Sequence, residues 1–295
     1  MPPSTTFRPG TTPKFLPPSR FGGGGDTGGS GGLSGRQDPR IASRETLRYL
    51  VISDMHGNWD AFAAVLRRVR RKRFDATLVL GDLVGYGAGP NQVVEAVKNL
   101  EGEVHIVRGN HDKVVAELED GSNFNQPALA AARWATERLT PANLRFVREM
   151  PLGPLPITDQ MHICHGSPLD EDTYVFSIYD AYEIFSNYPD ASVIFFGHTH
   201  IPSRFVLHSK GTIEVAVVQG ESSVLHLEEG KRYLLNPGSI GQPRDRDPRA
   251  AYLVYDSEAH TVRWQRVDYA IGKAQERIVR SGLPKVLADR LSLGI

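Results

Sequence analysis

Histidine, aspartate and asparagine recur in this chain in short polar blocks, each placed just after an apolar run. The blocks are Asp54-Met55-His56, Gly81-Asp82, Gly109-Asn110-His111-Asp112, His165-Gly166-Ser167 and Gly197-His198-Thr199-His200. Their donors are imidazole nitrogens and carboxylate or amide oxygens, with no thiolate. That mix suits octahedral Mn, Fe, Ni or Zn better than a cysteine-based structural zinc site. Asp54, His56, Asp82, Asn110, His165, His198 and His200 are too many ligands for one such ion. A carboxylate can bridge, so two ions roughly 3.5–4 Å apart are the natural solution. Asp54 and His56 stand two apart, as do His198 and His200. On an extended segment both members of such a pair point the same way.

The apolar runs ahead of the blocks are expected to be buried strands: residues 46–53, 76–80, 103–107, 161–164 and 192–196. Between the first two, Trp59, Phe62, Ala63, Leu66 and Val69 recur at helical spacing behind Asn58, a fitting N-cap. Pro90 opens a second helix carrying Val93, Val94, Val97 and Leu100. Alternating strands and helices imply a layered α/β domain. Ligands of open α/β sheets bind beyond the carboxyl ends of the strands, where these blocks fall. The spacing predicts helices across 111–149, with Pro127 and Pro141 as start signals. From about residue 204 onward, shorter apolar segments predict a second, mainly antiparallel sheet packed on the first.

Residues 1–43 differ from the rest. They are rich in proline and then glycine (GGGGDTGGSGGLSG at 22–35), and are expected to form a disordered tail before a folded domain at 44–295. The whole chain is 40% apolar and 23% charged, an ordinary globular balance. A formal net charge of +0 excludes a global basic field for nucleic acid or an anionic membrane. The basic run at 67–73 is expected at a helix C-terminus as a solvated face, so nucleic acid is the less favoured partner. Cys164 is the single cysteine and cannot form an internal disulfide. No run is long and apolar enough to span a bilayer, and the N-terminus lacks a signal-type apolar core. The expected location is cytoplasmic, with no membrane partner.

The five blocks, in this order over roughly residues 47–245, resemble the calcineurin-like metallophosphoesterase superfamily. The resemblance implies a four-layer α/β sandwich, with two packed mixed β-sheets flanked by helices. It implies one ion on Asp54, His56 and His200, a second on Asn110, His165 and His198, and Asp82 bridging both. Mn²⁺ is the favoured ion, with Fe, Ni, Zn or Mg as alternatives. The reaction implied is in-line attack on phosphorus by a hydroxide bridging the ions. His111 would be the general acid for the leaving oxygen or a phosphate clamp, and Asp112 the residue that orients it.

The second block departs from the serine/threonine protein phosphatase branch, which reads G-D-x-V-D-R-G. Here Gly85 and Tyr86 stand where that branch carries its catalytic aspartate and phosphate-gripping arginine. Together with Asn236-Pro237-Gly238-Ser239, the block looks like the small stand-alone prokaryotic branch. The substrate is therefore expected to be a small phosphate ester, most favourably a phosphodiester. A broad phosphomonoesterase or nucleotidase, a nuclease and a non-catalytic binding protein are the alternatives. Arg244, just past the Asn236 turn, is the candidate to grip substrate phosphate, ahead of Arg246 and Arg249. The helical insertion at 121–150 is either scaffold or a cap over the site.

Overall fold

A computed structural model describes residues 47–295. The tail expected over 1–43 lies outside the described residues. In chain order the first half contains β1 (Arg48–Ile52), α1 (Trp59–Val69), β2 (Ala76–Val79), α2 (Pro90–Lys98), β3 (Glu103–Ile106) and α3 (Asn110–Val115). Then come α4 (Gln126–Arg138), α5 (Pro141–Glu149), β4 (Leu155–Thr158), β5 (Met161–Ile163), α6 (Ile178–Asn187) and β6 (Val193–Phe195). The rest comprises β7 (Ser203–Leu207), β8 (Ile213–Val217), β9 (Ser222–His226), β10 (Arg232–Asn236), β11 (Ala250–Asp256), β12 (Thr261–Val267), α7 (Ile271–Arg280) and α8 (Lys285–Asp289).

Two six-stranded mixed sheets result, ordered β3-β2-β1-β11-β12-β9 and β4-β5-β6-β10-β7-β8. In the first, β1, β2 and β3 run parallel. In the second, β5, β6 and β10 run parallel. The expectation of a separate antiparallel sheet from residue 204 onward is corrected here. β11 pairs antiparallel with β1, bringing β12 and β9 into the first sheet, while β10 inserts beside β6. Local apolar pattern marks a strand but carries no record of which partner it will meet.

Burial follows the period of two along each strand. In β1, Leu50 and Ile52 join Phe62, Val65, Val93 and Val97 in a core between the first sheet and its helices. Tyr49 and Val51 point the other way, against Ile163, Val193, Phe195 and Leu235 of the second sheet. On the far face of that sheet, Ile194, Phe196 and Leu234 pack on Ala181, Ile184 and Phe185 of α6. Strands buried on both faces explain why their sequences run apolar without alternation. Local signals operate as expected at helix starts: Asn58 Oδ1 accepts from Ala61 N–H at 3.2 Å, and Pro90, Pro127 and Pro141 sit in first turns. The sequence reading assigned nothing to α7 and α8. Their Ala274, Ile278, Leu287 and Ala288 close over Tyr86 and α4.

Phe62 is fully buried between α1 and the first sheet. Phe62→Ala should lower unfolding free energy by about 3–5 kcal/mol. The exposed Arg71→Ala should stay within about 0.5 kcal/mol of the parent. Urea titration of both variants checks the contrast.

Candidate metal centre

The carboxyl ends of β1, β2 and β3 meet those of β5, β6 and β10 at one edge of the sandwich. The loops there are laced by backbone hydrogen bonds: Asp54 N–H to Gly81 O (3.1 Å), His56 N–H to Asp82 O (2.9 Å) and Gly197 N–H to His165 O (2.7 Å). The Asn236 turn docks on the end of β1, with Ser239 Oγ donating to Asp54 O at 2.9 Å and Gly241 N–H to the same carbonyl at 2.9 Å. Asn236 Nδ2 donates to Gly197 O at 2.7 Å, tying this turn to the loop that carries His198 and His200.

The structure brings all seven expected ligands together, in two groups that share Asp82. Asp54, His56, Asp82 and His200 form one; Asp82, His165 and His198 form the other. Asn110 Oδ1 lies 3.1 Å from His165 Nε2 and joins the second. Asp54 and His56 do not face the centre from an extended segment, as the i, i+2 argument supposed. Both have left-handed backbone, as do Asp82, His198 and His200, with φ between 47° and 64°. Such φ values are uncommon for residues other than glycine and persist where the surroundings over-determine them. Gly109 is required beside them, because a Cβ there would collide with the Asp82 carboxylate.

Each imidazole is oriented by a backbone carbonyl. His56 Nδ1 donates to Val84 O (3.1 Å), His165 Nδ1 to Leu80 O (2.7 Å), His200 Nδ1 to Gln242 O (2.6 Å) and His198 Nε2 to Asp172 O (3.0 Å). A carbonyl only accepts, so the proton of each neutral ring lies outward and a lone pair faces inward. Those inward nitrogens then crowd together. His56 Nε2 and His200 Nε2 are 3.0 Å apart, and His165 Nε2 and His198 Nδ1 are 3.1 Å apart. Asp82 Oδ2 lies 3.3 Å from His56 Nε2 and 3.4 Å from His165 Nε2. Both Asp54 oxygens and Asp82 Oδ2 are buried without a hydrogen-bond donor among the described residues. Lone pairs at such distances repel unless a cation lies among them. The residues present therefore fit two divalent ions. Burial opposes charge on His165, yet the Asp82 carboxylate outweighs it and raises this imidazole to about 10, so positive charge is favoured at its inward nitrogen, whether a proton or a metal ion supplies it.

His111 lies beside this centre. Its backbone N–H donates to Asp82 Oδ1 at 2.9 Å, and its ring packs against Tyr86 (centroids 4.3 Å apart) and Phe124 (4.4 Å). Burial lowers it to about 4. The contact expected from Asp112 is not formed. Asp112 Oδ1 accepts from Leu83 and Val84 N–H (2.9 and 3.2 Å) and Oδ2 from Gly109 N–H (3.0 Å), whereas His111 Nδ1 has no hydrogen-bond partner among the described residues. Three amides from two loops consume the carboxylate, so Asp112 pins the Asp82 loop to the start of α3. Burial and the Asp82 charge push it up to about 7.

Of the three arginines past the Asn236 turn, Arg249 is held by Asp247 at 2.7 Å and Arg246 is exposed. Arg244 stands at the centre's edge. Its Nη2 donates to Gln242 Oε1 (3.1 Å) and Tyr86 Oη (3.4 Å), and its buried Nε has no acceptor among the described residues. The basic run at 67–73 is exposed at the opposite end of α1 from Asn58, apart from the buried Val69. Sequence reasoning missed Tyr174, whose ring stacks on His198 at 3.9 Å, and Phe124 against His111. The alternation Tyr174-Val175-Phe176 was the available signal for the first.

Asp112→Ala would leave three buried N–H groups without an acceptor. We expect about 3 kcal/mol or more of lost stability, since each orphaned group costs on the order of 1–3 kcal/mol. Thermal and urea unfolding check this. An unchanged melting curve with reduced turnover would instead point to a role through His111.

Comparison with known proteins agrees with this geometry. Residues 47–202 match the family model described as calcineurin-like phosphoesterase. An uncharacterized protein of Methanocaldococcus jannaschii is 36% identical over 250 residues, covering 83% of this chain and 97% of its own length. A metallophosphoesterase from Sphaerobacter thermophilus superposes with a TM-score of 0.72 at 33% identity, over 85% of this chain and 100% of that one. Proteins named symmetrical bis(5'-nucleosyl)-tetraphosphatase match over a short stretch, as in Klebsiella pneumoniae: 37% identity across 26% of this chain and 28% of the relative. Among the described residues no helix is long and apolar enough to cross a membrane. The chain belongs to the calcineurin-like phosphoesterase family, whose members hydrolyse phosphate esters with a pair of metal ions.

Proposed function

We propose that this chain hydrolyses phosphodiesters, with Mn²⁺ as the preferred ion at both positions. One ion would sit on Asp54, His56 and His200, the other on Asn110, His165 and His198, with Asp82 between them. The observation that carries the reading is the crowding of four inward imidazole lone pairs around Asp82. When bound, the ions lower the pKa of a water and offset charge on the phosphoryl oxygens.

The remaining work falls to the chain's own side chains. The outward carbonyls of Leu80, Val84, Asp172 and Gln242 fix the rings, so no reorganisation is needed as charge develops. His111, held over the centre by Asp82, Tyr86 and Phe124, donates to a phosphoryl oxygen or to the leaving oxygen. Arg244 grips the phosphate, in place of the arginine that Tyr86 replaces.

Charge favours a diester over a monoester. The cavity beside the centre is lined by Glu119, Asp120 and Asp172. Lys113 neutralises part of this, pairing with Glu119 and Asp172 at 2.7 Å each. A monoanionic diester meets less repulsion there than a dianionic monoester. The match to tetraphosphatases covers too little of those proteins to transfer their substrate.

With Mn²⁺ added, the purified chain should hydrolyse bis-p-nitrophenyl phosphate faster than p-nitrophenyl phosphate. Chelation or Asp82→Ala should abolish turnover, and activity that survived both would overturn the mechanism. Arg244→Ala should raise KM for the diester about tenfold with a smaller change in kcat, as loss of a charged hydrogen bond does. An unaltered KM would remove Arg244 from the substrate site.

A further inference from the structure

A cavity of about 260 Å³ opens beside the metal-ligand cluster, with Asn110, His111 and His198 among its lining residues. Three aromatic rings also line it, those of Tyr86, Phe124 and Tyr174. Tyr174 lies on His198, with centroids 3.9 Å apart and planes 24° from parallel. Phe124 lies on His111 at 4.4 Å and 37°. Phe176 extends the first ring outward, stacked on Tyr174 at 5.3 Å and 11°. Tyr174 and Phe176 remain 42% and 57% exposed, although each is a large apolar surface.

This aromatic pair is held in place by its backbone. Val175 between them is buried in the core under α6, so the extended segment turns both neighbours outward. The N–H groups of Phe176 and Ser177 donate to Asp180 Oδ2 at 2.9 and 2.8 Å, fixing the segment to the first turn of α6. Rings exposed in fixed parallel stacking favour a flat π-system over an aliphatic chain. The volume lies near the lower bound of small-molecule sites, about 300 Å³, and is too small for a folded partner. The lining carboxylates of Glu119, Asp120 and Asp172 disfavour a polyanionic strand.

We propose that Tyr174, Phe176 and Phe124 seat a nucleobase, so that the substrate class is nucleoside phosphodiesters whose phosphate lies over Asp82. The proposal rests on the phosphoesterase reading above and adds what the ester carries. Base–aromatic stacking is tolerant of base identity, so the site selects for a base rather than for one base.

Two esters with the same leaving group separate the claims: thymidine 5'-(p-nitrophenyl phosphate) and methyl p-nitrophenyl phosphate. The Mn²⁺-loaded full chain should prefer the thymidine ester by about tenfold or more in kcat/KM. Phe176→Ala should erase much of that preference and leave the methyl ester within about twofold. Phe176 stacks on Tyr174 and not on the rings of the metal-centre residues, so this variant leaves the packing of His198 in place. Calorimetry gives a readout apart from turnover, in which AMP should bind more tightly than ribose 5-phosphate. Equal kcat/KM for the two esters, or a Phe176→Ala variant that slows both alike, would overturn the base site while methyl-ester turnover upheld the hydrolase. No turnover of either ester, with AMP still preferred, would do the reverse.

Discussion

Four imidazole nitrogens and two carboxylates meet in a buried volume with their lone pairs facing one another, and the rest of the structure is organised around that convergence. His56 and His200 approach to 3.0 Å, and His165 and His198 to 3.1 Å, in surroundings from which water is largely excluded. Each ring commits its outward N–H to a carbonyl on its far side. Positive charge between the rings is the arrangement's physical requirement, and a pair of divalent ions would supply it.

Holding such an arrangement has a cost, visible in the backbone. Asp54, His56, Asp82, His198 and His200 occupy the left-handed region, at on the order of 1 kcal/mol or more each. The two sheets supply the compensation. Trp264 Nε1 donates to Asn236 O at 2.8 Å across the sandwich, and Asn236 in turn bonds Gly197. Arg266, buried, pairs with Asp245 and fixes the segment from which Arg244 extends. Strain at the centre is thus balanced by a packed interior behind it, and the same packing positions the aromatic rings at the centre's border.

What could be read from the residues alone divides along a physical line. Asp54, Asp82, His165 and His198 each follow a short buried strand, a local signal that survives without knowledge of partners, whereas Asn110 follows the edge strand β3, in which only Ile106 is buried. The helix starts at Asn58, Pro90, Pro127 and Pro141 were legible for the same reason. Sheet membership was not, because β11, β12 and β9 carry the same alternation whichever sheet they join. Asp112 was misjudged because adjacency in sequence suggested His111 as its partner, while three backbone amides from loops brought together by folding were better donors. The carbonyls that orient the imidazoles were invisible, since any residue supplies one.

Two cations held by the crowded donors around Asp82 would be visible by anomalous scattering. Crystals of the full chain grown with Mn²⁺, with data collected on both sides of the manganese absorption edge, test this directly. Two anomalous peaks per chain are expected, one within bonding distance of Asp54, His56 and His200, the other of Asn110, His165 and His198, with Asp82 touching both. A single peak, or none among these seven residues, would contradict the two-ion centre.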